Sequence, residues 1–466
     1  MVKYSNKKNV IYLLTLPLVI NNLFNILNGR FYFSFQNSST KVELYNIILA
    51  LFLFIFYTYF GKALKKIFKT QLISSAIIIF WLLVFCLENS FLFITHHVKF
   101  NIYIFVVFIF SLIYFFIKRI QINEILFIFL SFIVLKIVFF ATISNFQDMN
   151  LNYEQLYTSD EKVLWFPAIE SIFNKNYYSV LINNPFPGYG LLTAYIGAIN
   201  SFLLLGFETF KYYLAINYLF IYLFILFLFE ICKSKKSFIF LFISFGSVIL
   251  SSHWFTYVFF GSLLSEVISS FCFGVLFTEI VSSKNKSSFN FVFLVVNFGF
   301  LFYSRQFIST LVILFVIFFA IKLKKLAVFL GLYAAVLKIL QSLFLPNILI
   351  DPYINEKEFS QLLFNFSNVY KMLKQILIDK PLVYLLFIFV ILILLNLKYQ
   401  IKFIEFHLFQ LLNFLFVVAL MIFIWRKDDV QSSYRYLLNC FYLIIYPVSN
   451  ALDDWFKKTD LMSQKT

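Results

Sequence analysis

Runs of roughly 17–25 apolar residues, broken by short polar stretches, recur along nearly the whole chain, and that length matches the hydrocarbon core of a bilayer. They begin near Val10, Leu44, Leu72, Ile102, Ile125, Tyr212, Ser237, Trp254, Phe289, Phe307, Leu326, Pro381, Phe406 and Leu437. The pattern predicts an all-α fold: a polytopic transmembrane helical protein of about fourteen spans.

The polar breaks assign sides to these runs. Lys62, Lys65, Lys66 and Lys69 fall in one break, Lys118 and Arg119 in another, and Lys233, Lys235 and Lys236 in a third. Further breaks hold Lys284 and Lys286, then Lys322, Lys324 and Lys325, then Lys398 and Lys402. Short cytoplasmic loops collect Lys and Arg, so these breaks are predicted inner loops and both termini are expected in the cytoplasm. The alternation closes only if Leu191 to Phe207, although apolar, does not cross, because a single crossing must separate Asp148 outside from Lys233 inside. That segment is expected to be a re-entrant or surface-lying helix on the outer face.

Composition narrows the class. Of 466 residues, 62% are hydrophobic, 13% are charged and 70 are Phe, which a water-soluble domain would have to expose. The formal net charge of +16 lies in small clusters between apolar runs and not in one basic stripe, which argues against nucleic acid as a partner. Cys86, Cys232, Cys272 and Cys440 have no metal-ligand or CxxC spacing, so neither a disulfide framework nor zinc is expected. The first run follows Lys3, Lys7 and Lys8 without a small-residue cleavage site, and is expected to be a span and not a cleaved leader. The Phe- and Lys-rich usage suits an AT-rich bacterial genome, hence an inner (plasma) membrane location.

Chemistry-bearing residues concentrate in predicted outer loops over 143–210, 346–380 and 426–436. The first carries Asp148, Glu154, Asp160, Glu161 and Glu170, then Asn183-Asn184-Pro185-Phe186-Pro187-Gly188-Tyr189-Gly190, where Pro and Gly forbid a continuous helix. The second carries Asp351, Tyr353 and Glu356, then Phe359, Leu363, Phe366 and Tyr370 at helical spacing, which predicts an amphipathic helix on the outer face. The third runs Trp425-Arg426-Lys427-Asp428-Asp429, then Ser432-Ser433-Tyr434-Arg435-Tyr436, a basic and aromatic cluster on the side that positive charge normally avoids.

The stretch Ser159-Asp160-Glu161-Lys162-Val163-Leu164-Trp165-Phe166-Pro167-Ala168, with Asn176-Tyr177-Tyr178, Pro185 to Gly190 and the apolar Leu191-Leu192-Thr193-Ala194-Tyr195 behind it, resembles the first outer loop of GT-C glycosyltransferases. There an Asp-Glu pair opens the loop, a Pro-containing turn follows, and a juxtamembrane helix precedes the next span. Ser433-Tyr434-Arg435-Tyr436-Leu437-Leu438 is similar to the Arg-Tyr element at the outer start of a late span in many members. This chain differs in placing about four spans before the one that leads into the acidic loop, and in having Lys162 after the acidic pair. The resemblance implies N-terminal transmembrane helices over 1–123, a GT-C-like catalytic region over 124–452 and a cytoplasmic tail over 453–466.

Its implied activity is transfer of a sugar from a polyprenyl-phosphate carrier to a lipid, glycan or protein acceptor on the non-cytoplasmic face. Such a reaction must take a proton from the acceptor and stabilise a departing phosphate. Asp160 is the first choice of general base, with Glu161 or Asp148 raising its pKa or orienting it. Arg435 with Tyr436, Arg426, Lys427 and Arg305 are the candidate donor-phosphate ligands, because a guanidinium is always charged and forks onto phosphate oxygens. Arg435 equally suits a snorkelling role at the headgroups, and the loop acids equally suit a solvated surface.

Glu266, Lys136 and Lys338 fall inside predicted spans, where an ionisable group costs roughly 2.5–3.5 kcal/mol and calls for an interior partner. Glu266 is a candidate second carboxylate. His253 and His96-His97 do not predict a metal site, whereas the acidic loop offers oxygen ligands for a divalent cation. Two other functions fit a many-span protein with charged outer loops: a surface-polysaccharide polymerase and a lipid-linked oligosaccharide flippase. The first would place its chemistry in a large late outer loop, and the second would show inverted repeats and midplane charges, neither of which is conspicuous.

Overall fold

A computed structural model of the chain describes residues 37–95, 122–143, 169, 192–203, 213–251, 265–282, 301, 411–412, 415 and 438–463. Among these residues there is no strand, so the all-α expectation holds for them. The helices are α1 (Asn37–Phe68), α2 (Ile73–Thr95), α3 (Ile122–Ile143), α4 (Leu192–Leu203), α5 (Tyr213–Ile231), α6 (Lys235–Ser251), α7 (Ser265–Ser282) and α8 (Leu438–Ser463).

Helix α5 is the axis of the bundle. Its side chains from Ala215 to Leu228 are all buried, the state expected of a helix that is apolar on every side. Helices α1, α2, α3, α6, α7 and α8 all pack against it, and α8 lies along α7 and α6. Helix α4 contacts α2 and α7.

Aromatic rings knit these helices at one level. Phe54 of α1 stacks on Tyr222 of α5 with centroids 5.0 Å apart, and Phe132 of α3 meets the same ring at 4.4 Å. Trp81 of α2 donates its indole N–H to the Tyr57 hydroxyl of α1 at 3.0 Å and also touches Phe220 of α5. Phe271 of α7 meets Phe220 and Phe227, and Tyr442 of α8 meets both Phe224 and Phe271. Each such pair contributes roughly 0.5–1.5 kcal/mol beyond the area it buries. The abundance of Phe thus supplies interior packing as well as apolar surface.

That surface is patterned. Leu44, Ile48 and Phe52 on α1 and Leu126, Leu130 and Val134 on α3 recur at a four-residue spacing and are each 46–59% exposed. Ile239 and Ile243 do the same on α6. Spacing of four residues places each set along one helix face, so the bundle presents apolar stripes outward. By length and composition, Asn46–Phe68 of α1 is able to cross a membrane, and shorter apolar stretches run over Ile73–Phe85, Asn123–Leu135, Ala215–Ile231 and Val267–Ser282.

The tight turn from α1 to α2 has a local cause. Lys69 adopts φ 52°, a left-handed backbone, and the Thr70 N–H donates to the Lys65 carbonyl at 3.2 Å. This six-to-one bond closes a Schellman motif and satisfies a carbonyl the helix end would otherwise leave open. The chain reverses within four residues, bringing the Lys65–Lys69 cluster beside the start of α2.

Candidate functional site

The residues for which sequence predicts chemistry are divided by the described region. Asp148, Asp160, Glu161, Arg305, Arg426, Lys427, Arg435 and Tyr436 lie outside the described residues, as do the loop over 346–380 and Lys338. Glu266 is the second residue of α7, in the first turn of that helix. Lys136 lies within α3.

At the end of the bundle that gathers the lysine clusters, three carboxylates that the sequence patterns did not single out hold chain turns together. Glu279, near the end of α7, accepts the backbone N–H groups of Gln71 and Leu72 at 2.5 and 3.0 Å. Glu230, near the end of α5, accepts those of Ile73 and Ser74 at 2.5 and 3.1 Å and the Ser74 hydroxyl at 2.9 Å. Between them they receive the first N–H groups of α2, which has no acidic residue in its own first turn. Asp453 of α8 does the same for α6, accepting from Lys233 and Ser234 at 2.9 and 3.2 Å.

Lys65 is close enough to Glu230 and Glu279 to attract both. Lys62 of α1 pairs with Glu124 of α3 at 3.5 Å, bringing α3 to this end as well. The beginnings of α2, α3 and α6 and the ends of α1, α5 and α7 therefore share one basic face. A carboxylate near a helix C-terminus opposes that helix's own dipole and calls for N–H donors elsewhere, but nothing local names the turn that supplies them.

Cys232 follows α5 at this face. Burial, with the Asp453 carboxylate beside it, pushes its thiol up to about 12, so it is protonated and inert at neutral pH. Among the described residues no cluster of His, Cys, Asp and Glu is arranged to hold a metal ion.

The opposite half of the bundle has a different character. Helix α4 is described over Leu192–Leu203. Leu192 to Asn200 and Leu203 are buried, unlike a helix resting on a surface. The Tyr195 ring meets Phe85 at 5.0 Å, and Phe85 lies three helical turns beyond the capped start of α2, about 18 Å from the basic face.

Several polar atoms in this half are buried without a hydrogen-bond partner: Thr193 Oγ1 and Asn200 Oδ1 on α4, Asn217 Nδ2 on α5, and Ser269 and Ser270 Oγ on α7. The Asn200 amide donates one of its two N–H bonds to the Ile196 carbonyl at 2.8 Å, and its oxygen has no protein partner. Asn46 of α1, by contrast, is fully used: its Oδ1 accepts the Ala215 N–H at 3.1 Å and caps α5. An orphaned buried polar atom costs about 1–3 kcal/mol and calls for an explanation.

One residue ties the acidic segment to this region. Ile169, nine positions after Asp160, is buried. A Cβ placed on Gly197 of α4 would come within 2.5 and 2.8 Å of the Ile169 side chain. Glycine at 197 therefore allows the Ile169 side chain to seat on α4. In the comparisons with known proteins the chain matches no family model, no curated protein and no solved structure.

Proposed function

We propose that the chain is a polytopic membrane glycosyltransferase of about fourteen spans, transferring a sugar from a polyprenyl-phosphate carrier to a lipid, glycan or protein acceptor on the non-cytoplasmic face. The observation that carries this reading is the order of motifs: Asp160-Glu161, the Pro185 to Gly190 turn, an apolar helix from Leu191, and Arg435-Tyr436 later in the chain.

Three structural features support it. Helix ends next to the predicted inner-loop lysines gather on one face, as a consistent membrane orientation requires. Apolar stripes on α1, α3 and α6 face outward, which a hydrocarbon solvent accommodates and water does not. A buried α4 lies in the half of the bundle away from the basic face.

In this reading Asp160 takes the acceptor proton, Glu161 or Asp148 tunes it, Glu266 stands as a second carboxylate, and Arg435 with Tyr436, Arg426, Lys427 and Arg305 receives the departing phosphate. The acidic loop offers oxygen ligands to a divalent cation as well. Basic inner loops place both termini in the cytoplasm.

The test is turnover by purified protein in liposomes, supplied with a panel of radiolabelled polyprenyl-phosphate sugars. Wild type is expected to turn over at least one donor, and Asp160→Asn, which keeps the shape and removes the base, is expected to lose at least 100-fold while remaining folded and binding donor. Turnover that survives Asp160→Asn would move the active site elsewhere. A second reading, a flippase for lipid-linked glycans, draws on Lys136 within α3, since transporters carry ionisable groups inside their spans. Transbilayer movement of a labelled lipid-linked glycan without bond cleavage would favour it.

A further inference from the structure

We propose that the corner where α8 clasps the start of α6 binds one anionic phospholipid of the cytoplasmic leaflet, with the headgroup on Lys233, Lys235 and Lys457 and an acyl chain along Ile239 and Ile243. This site goes beyond the sugar chemistry and rests only on the proposed membrane orientation. Asp453 of α8 assembles the corner by accepting the Lys233 and Ser234 N–H groups at 2.9 and 3.2 Å. Lys457 is one helical turn beyond Asp453 and on the same side of α8, so it is brought to the turn that carries Lys233. Lys233, Lys235, Lys236 and Lys457 are all exposed here, whereas Asp453 is buried and Asp454 is the exposed acid beside them. Positive charge therefore prevails at the surface of the corner.

The surface next to these lysines selects a lipid over a free anion. Lys235, Ile239 and Ile243 recur at a four-residue spacing, which sets them along one face of α6 over about 12 Å. Ile239 and Ile243 are 49% and 46% exposed, so the charged end passes directly into an apolar strip. Inorganic phosphate would use the charge alone, whereas a phospholipid uses both. On α8 the half-buried Trp455 ring meets Phe456 with centroids 4.6 Å apart, which places aromatic side chains beside Lys457, as is common at headgroup level. The backbone N–H groups at the start of α6 are already engaged: Asp453 holds two, and the Ser234 hydroxyl accepts that of Ser237 at 3.0 Å. The headgroup is therefore held by side-chain cations, which favours a glycerophosphate that carries no positive charge of its own. Because such a lipid touches α6 and α8 together, its binding stabilises the clasp between them.

The test is native mass spectrometry of the full-length protein in detergent, titrated with phosphatidylglycerol, with phosphatidylcholine of the same acyl chains, and with soluble glycerol phosphate. Wild type is expected to retain phosphatidylglycerol, to hold phosphatidylcholine more weakly and not to retain glycerol phosphate. Lys235→Gln combined with Lys457→Gln, both at exposed positions, is expected to weaken binding of the first phosphatidylglycerol about tenfold. The same pair is expected to diminish the rise in unfolding midpoint that the lipid gives wild type. Lys322→Gln combined with Lys324→Gln removes equal charge from another predicted inner loop, and is expected to leave both readings at their wild-type values. Equal losses in the two pairs would show that the lipid follows net charge and would overturn the site. Phosphatidylcholine bound as tightly as phosphatidylglycerol, or glycerol phosphate displacing the lipid at equal concentration, would overturn it too. None of these results touches the glycosyltransferase reading, which stands or falls on its own turnover test.

Discussion

A carboxylate near the C-terminus of a helix sits against the negative pole of that helix. Glu230 and Glu279 tolerate this because each receives backbone N–H groups from the start of α2, the positive pole of another helix. Glu279 is nearly fully buried, so Glu279→Leu is expected to leave the Gln71 and Leu72 donors unmet and to cost roughly 2–3 kcal/mol. A lowered unfolding midpoint in detergent would register that loss, and Glu279→Gln, which keeps an acceptor, should recover part of it. An unchanged midpoint in Glu279→Leu would show that the cap is incidental. At this scale the sequence made the lysines legible, because clusters between apolar runs need no partner to be interpreted. The acids were not, because their function depends on turns some 200 residues away in the chain, with separations of 207 and 208 for the two Glu279 bonds.

Among elements, glycines permit close approaches of unequal tolerance. At Gly197 a new Cβ would meet the flexible end of Ile169 at 2.5 Å, whereas at Gly274 it would meet the Cβ of Tyr442 at the same distance, with Tyr442 backbone at 3.6 Å. A Cβ cannot rotate away, so Gly274→Ala is expected to force α7 and α8 apart and to cost more than Gly197→Ala, within the roughly 1–3 kcal/mol of overpacked sites. Ile169→Ala should rescue Gly197→Ala in a double-mutant thermal melt. Equal losses at the two glycines, or no rescue, would contradict this account. The existence and placing of α2, α3, α5, α6 and α8 were legible to within a few residues from hydropathy, because a long apolar run is its own evidence. Helix α4 was only half legible. Charge parity implied that it does not cross, but whether it rests on a surface or enters the bundle depends on neighbours such as Phe85 and Ile169, which no local pattern reveals.

For the whole molecule, the basic face fixes a direction. Lys69→Cys and Lys235→Cys, each at an exposed position, are expected to react with a membrane-impermeant maleimide only after the cytoplasmic side is opened. Labelling from outside intact cells would reverse the proposed orientation. The native Cys232 gives little background at pH 7.5, since its thiol is pushed up to about 12 and its reactive thiolate appears only as pH approaches that value. The expected sidedness sums weak charge signals over many loops.

The reach of the three carboxylate caps bears on how the chain is made. Ile73 is held by Glu230, 157 residues later, Leu72 by Glu279, and Lys233 by Asp453, 220 residues later. Synthesis runs from the N-terminus, so each early turn leaves the ribosome with its N–H groups still unanswered, and each is locked only when a later helix arrives. The last lock, on α6, waits for α8. A chain interrupted before that helix would carry its earlier turns open, and this ordering gives the cell's membrane quality control a chemical difference between an unfinished bundle and a complete one.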